Sequence, residues 1–107
     1  MSESSSEFYV TVKSYMFWVY ILENMDDFSW YIGYTSNLKR RIEEHQNGSG
    51  ARTTRIKKHW HLIYCEGYIN KEDAEGRERF LKSGSGRTFL KKQLSNYLKM
   101  TPGKSNA

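Results

Sequence analysis

Cysteine is nearly absent from this 107-residue chain. Cys65 stands alone, so an intramolecular disulfide is impossible and a cysteine-based zinc site is excluded in practice. Proline occurs once, at Pro102. No apolar run approaches the roughly 20 residues of a membrane span. No charged leader followed by an apolar stretch and a small-residue cleavage site opens the chain, so the expectation is a reducing, cytoplasmic setting without a membrane. Positive charge is scarce at the start: residues 1–35 hold one basic residue, Lys13, and five acidic ones. Residues 36–107 hold 16 basic and 7 acidic residues, and no acid follows Arg87. Such asymmetry points to an anionic partner for the later part, nucleic acid first among them. A solvated surface that only keeps the protein soluble is the plainer alternative.

Aromatics are abundant, with eight Tyr, five Phe and three Trp, which excludes a disordered chain. The length suits one domain with a modest core. The expected layout is a tail over 1–14, a domain over 15–99 and a tail over 100–107. Phe8 to Ser14 could add a short lead-in strand.

Two aromatic runs, Trp18-Val19-Tyr20-Ile21-Leu22 and Trp30-Tyr31-Ile32-Gly33-Tyr34, flank a polar segment holding Glu23, Asn24, Asp26 and Asp27. This reads as a β-hairpin buried on both faces, with the polar segment as its turn. Thr35, Ser36 or Asn37 then starts a helix, LKRRIEEHQ, which Gly48 ends. At 100° per residue Leu38 and Ile42 share its apolar side, while Arg41 and His45 line one edge where it meets the sheet.

A loop with Arg52, Arg55, Lys57 and Lys58 among hydroxyls follows and suits phosphate oxygens. Trp60 to Tyr68 reads as a third strand. His59 and His61 lack a third ligand at a recognisable spacing, so a surface or sheet-edge role is expected. Asn70 begins the next helix, on which Ala74, Glu78 and Leu81 share a side. A carboxylate there needs a partner or a bound cation. Glu78 is therefore the better metal candidate and Glu75 the fallback, with a salt bridge as the ordinary alternative. Ser83-Gly84-Ser85-Gly86 is expected to break this helix. A last helix should run from Arg87 to about Leu98, burying Leu90, Leu94, Tyr97 and Leu98.

These pieces resemble the GIY-YIG nuclease domain, as in the N-terminal catalytic domain of the excision-repair endonuclease and in small stand-alone members. Val19-Tyr20-Ile21 stands for the first motif, with Val19 replacing its glycine. Tyr31-Ile32-Gly33 is the second, and Asn37-Leu38-x-x-Arg41-x-x-x-His45 is the helix that follows. Gly48 to Thr54 and Ala74-x-x-x-Glu78-x-x-Leu81-Lys82 match later pieces.

The resemblance implies an α/β (α+β) fold, a three-stranded antiparallel sheet flanked by helices. It also implies hydrolysis of DNA phosphodiester bonds with one Mg²⁺ or Mn²⁺. Glu78 would then hold the metal and Arg41 the scissile phosphate. Tyr20, Tyr31 or His45 would orient or deprotonate the water, a free tyrosine needing a nearby cation to lower a pKa near 10. Gly33 would allow close backbone approach, and Tyr34 and Asn37 are secondary candidates. Arg40, Arg52, Arg55, Lys57, Lys58, Arg87 and Lys91 would contact DNA, duplex or branched. The small size leaves room for a protein partner that supplies specificity. The rival reading is a non-catalytic nucleic-acid-binding module.

Overall fold

The computed structural model describes residues 15–48, 50 and 57–100. The lead-in strand, both tails, and Arg52 and Arg55 lie outside the described residues. Strand β1 (Phe17–Asn24) is central, with β2 (Trp30–Thr35) and β3 (Trp60–Tyr68) antiparallel on either side. Helix α1 (Leu38–Gln46) joins β2 to β3, and α2 (Lys71–Lys82), α3 (Gly84–Gln93) and the short α4 (Ser95–Leu98) follow. This is the expected α+β architecture.

The alternation of β1 explains both faces. Val19 and Ile21 point one way, into a core completed by Ile32 and by Ala74, Leu81, Leu90 and Leu98 of the later helices. Leu81 and Leu90 are fully buried, and each contributes about 1.5–3 kcal/mol by burial. Tyr20 and Leu22 point the other way, into a second cluster with Tyr31, Leu38, Trp60 and Leu62. The register sets Tyr20 opposite Gly33 and Leu22 opposite Tyr31. On β3 the pairing shifts from Ile21–Tyr64 to Leu22–Leu62, a bulge that absorbs Ile63.

Three expectations need correction. Glu23 and Asn24 are not turn residues: β1 continues through both, and both are buried. Trp30 Nε1 donates to Glu23 Oε2 at 3.1 Å, and Tyr97 also donates to this carboxylate, so its burial is compensated. Asn24 Oδ1 accepts the amides of Asp26 and Asp27, and its Nδ2 donates to the Lys58 carbonyl. The turn proper is Met25 to Ser29.

The Ser-Gly-Ser-Gly segment ends α2 at an extended Ser83, as expected, but the next helix starts at Gly84 and not at Arg87. Ser83 caps α3, its Oγ accepting the Gly86 amide at 3.1 Å. Glycine is there for proximity: a Cβ on Gly86 would lie 1.9 Å from the Phe80 carbonyl oxygen. The last helix is in turn divided, with Leu94 (φ −102, ψ 22) separating α3 from α4.

Candidate active site

Helix α1 starts where the Asn37 side chain accepts the Arg40 amide at 3.1 Å. It stops at Asn47, followed by Gly48 at φ +85. That start fixes which side chains face the sheet. His45 is 2% exposed and Tyr20 is 1% exposed, with 2.9 Å between Tyr20 Oη and His45 Nε2. Burial, and then the Arg41 charge, hold the His45 pKa below its ordinary value. Burial foremost, then Tyr31, push the Tyr20 pKa up; Arg41 opposes this, and Glu78 and Glu44 reinforce it. Both shifts favour the uncharged forms of the two groups that share this hydrogen bond.

Tyr31 packs over both, its ring centroid 5.0 Å from that of His45 and 6.3 Å from that of Tyr20. Trp60 meets its edge at 6.5 Å. Tyr31 and Arg41 are half-buried, so they reach solvent while Tyr20 and His45 lie behind them. Gly33 makes this packing possible: a Cβ there would lie 2.5 Å from Tyr20 Oη and 2.9 Å from Tyr31 Cε1.

Arg41 Nε is buried without a hydrogen-bond partner, although Glu44 Oε1 lies 3.4 Å away as an ion contact. An unbonded guanidinium nitrogen facing this cluster suits an anion. Glu78 is half-buried on α2 and close enough for its charge to act on Tyr20. Its Oε2 sits 3.1 Å from Lys82 Nζ, an i,i+4 ion pair. The four-residue spacing from Glu78 to Lys82 is the sequence signal for this pair.

The donor chemistry fits a hard divalent ion. Glu78 offers carboxylate oxygen, and a cationic side chain already stands against it. No group of three His, Cys, Asp or Glu gathers at one place among the described residues. One carboxylate matches Mg²⁺ or Mn²⁺ coordination completed by water, not an all-protein cage.

The other expected residues are dispersed. Arg40 is exposed, 4.0 Å from Glu44. Lys57 Nζ lies 2.8 Å from Asp27 and so ties the β1–β2 turn to the approach of β3. Lys58 and Lys91 are exposed. Arg87 lies over the Trp30 ring at 5.9 Å. Glu75 is half-buried on α2. His59 is exposed and contacts Asp26 at 3.0 Å, whereas His61 lies 3.4 Å from Tyr97 Oη on the far face of the sheet.

The hairpin, the Arg/His helix and the acidic helix thus meet around one pair of tyrosines. The chain belongs to the GIY-YIG family: the model of the GIY-YIG catalytic domain, a nuclease domain, matches residues 16–93. Among its relatives, the UPF0213 protein of Streptococcus pneumoniae is 44% identical over 70 residues, covering 65% of this chain and 67% of that one. The UPF0213 protein CPE1444 of Clostridium perfringens is 45% identical over 67 residues, 63% of this chain and 71% of that one. Their names state no activity. The solution NMR structure of the UPF0213 protein BH0048 of Bacillus halodurans also matches, at 37% identity and TM-score 0.45, covering 86% of this chain and 94% of that one. Among the described residues, no helix is long and apolar enough to cross a membrane.

Proposed function

We propose that this chain is a divalent-metal-dependent DNA endonuclease that hydrolyses phosphodiester bonds in the cytoplasm, in DNA repair or recombination. The shape of the DNA, more than its sequence, would set its preference. The observation that carries the reading is the buried Arg41 Nε, without a hydrogen bond, beside a neutral Tyr20–His45 pair and a half-exposed Tyr31.

Arg41 receives the scissile phosphate. Its cation offsets the negative charge that grows as the phosphorus becomes five-coordinate. Tyr31, the phenol that reaches solvent, orients the attacking water and takes its proton as its own hydroxyl proton passes to solvent. Tyr20 and His45 act from behind. Their hydrogen bond fixes the imidazole against which the Tyr31 ring packs. Glu78 would hold Mg²⁺ or Mn²⁺, and when bound the ion supplies charge neutralisation at the phosphate and at the departing 3′ oxygen. The exposed Arg40, Lys58 and Lys91, with Arg87, would contact backbone phosphates at separate points, without reading bases. Arg52 and Arg55 are proposed for the same role, and specificity beyond DNA shape is assigned to a protein partner.

One observation favours a second reading. The Lys82 ion pair satisfies Glu78 without a metal, as a non-catalytic nucleic-acid-binding module would require. Labelled duplex, single-stranded, flap and junction DNAs with Mg²⁺ or Mn²⁺ separate the two. Cutting by the wild type that is lost in Glu78→Ala and in EDTA is the expected result. Salt-sensitive binding without cutting would select the binding module.

A further inference from the structure

Lys82 stands where a cation is needed. Its Nζ lies 3.1 Å from Glu78 Oε2, and the two side chains differ in setting: Lys82 is 54% exposed and Glu78 is 22% exposed. An ordinary i,i+4 pair lies on the solvent face of its helix. This one is anchored on a half-buried carboxylate, four residues after the buried Ala74 and three before the buried Leu81. A flexible ammonium is a point charge on a long stem and can leave at little cost. A divalent ion brings twice its charge.

We propose that Lys82 is a placeholder cation: it holds Glu78 in the cation-free protein and must be displaced for a divalent ion to bind, so it sets the cation affinity of the site. This rests on Glu78 being the ligand, as proposed above. It adds that the ion binds by exchange with a side chain, not by entry into an open carboxylate site. Among the described residues, Glu78 is the carboxylate that this ammonium contacts.

The test is a Mn²⁺ titration followed by the electron paramagnetic resonance signal of the free ion, on the full chain without DNA. The variants are Lys82→Met, Lys82→Arg, Glu78→Gln and Lys71→Met. Lys71→Met removes the same charge from the exposed first turn of α2. The wild type should bind one Mn²⁺ and Glu78→Gln none. Lys82→Met should tighten binding about two- to fivefold, the scale of a partly exposed ion pair. Lys82→Arg and Lys71→Met should stay near the wild type. Wild-type affinity in Lys82→Met, or equal tightening in Lys71→Met, would overturn the placeholder and leave Glu78 as ligand. Undiminished binding in Glu78→Gln would overturn both. Lys82 is exposed, so the variants should fold, and melting curves in EDTA check this.

Discussion

Two tyrosines, an arginine and a glutamate come together twice around one sheet. On the helix-covered face, Tyr64 and Tyr68 both donate to Glu66, whose carboxylate Arg77 grips through Nε at 2.8 Å and Nη2 at 3.0 Å. Arg77 also stacks 4.6 Å over Phe89. Every partner there is internal, and burial with the Glu66 hydrogen bonds pushes both phenols up to about 12. The other set, Tyr20, Tyr31 and Arg41 on the α1 face with Glu78 of α2, is left less complete. Arg41 Nε has no hydrogen bond, Tyr31 is held by ring contacts, and Glu78 leans on an exposed lysine. A closed network stabilises the fold, whereas an incomplete one of the same composition is built for a ligand.

Removing the two arginines should separate these roles most sharply. Arg41→Ala should slow single-turnover DNA cleavage by about 10²–10³-fold. It should move the urea midpoint little, because its partly exposed contact with Glu44 is worth about 0–1 kcal/mol. Arg77→Ala should do the reverse. Loss of the fork on a half-buried carboxylate should cost about 2–3 kcal/mol in urea unfolding, at the low end for a buried pair, with cleavage per folded molecule unchanged.

Gly33→Ala comes next. Its methyl group would occupy the space of the Tyr20 hydroxyl, costing about 1–3 kcal/mol by overpacking. Cleavage should fall with it, and Tyr20→Phe in the same chain should restore part of the stability but not the cleavage. Thermal melts and cleavage assays on both chains check this.

Acid should distinguish the faces by pH. His45 is held below its ordinary 6.5, so its contribution to stability is full above that value and is lost as pH falls through the lowered pKa. Burial alone would raise the Glu66 carboxyl, but the bonds from Arg77, Tyr64 and Tyr68 outweigh it and hold it below 4.5. Its contribution should therefore persist to lower pH and then fade. Urea melts across pH should lose the first step in His45→Gln and the second in Glu66→Gln. The smallest effect expected is Ser83→Ala, about 1 kcal/mol from the lost α3 cap, read by the same melts.

Much of the architecture was legible because it rests on local signals. The aromatic runs gave the hairpin, the Asn37 and Asn70 caps bounded two helices, and the Arg41/His45 spacing put both on the sheet side of α1. What stayed hidden depended on distant partners. Glu23 reads as a turn residue until Trp30 and Tyr97 are seen to bind it, Tyr97 coming from 74 residues away. Gly86 reads as part of a helix break, and its close approach to the Phe80 carbonyl shows only in the packing. For the site, composition alone could not distinguish Tyr20 and Tyr31 from Tyr64 and Tyr68. Only the order of motifs singled them out, and the structure adds that Tyr31 is half-buried while Tyr20 and His45 are buried.

The most direct measurement is single-turnover cleavage of a branched DNA in Mn²⁺ by Tyr31→Phe beside Tyr64→Phe, both confirmed folded by circular dichroism. Each loses one phenolic oxygen, from opposite faces of the sheet. The expected result is a fall of about 100-fold or more for Tyr31→Phe and a wild-type rate for Tyr64→Phe. Equal rates in the two variants, or a loss confined to Tyr64→Phe, would contradict the placement of the active site on the α1 face.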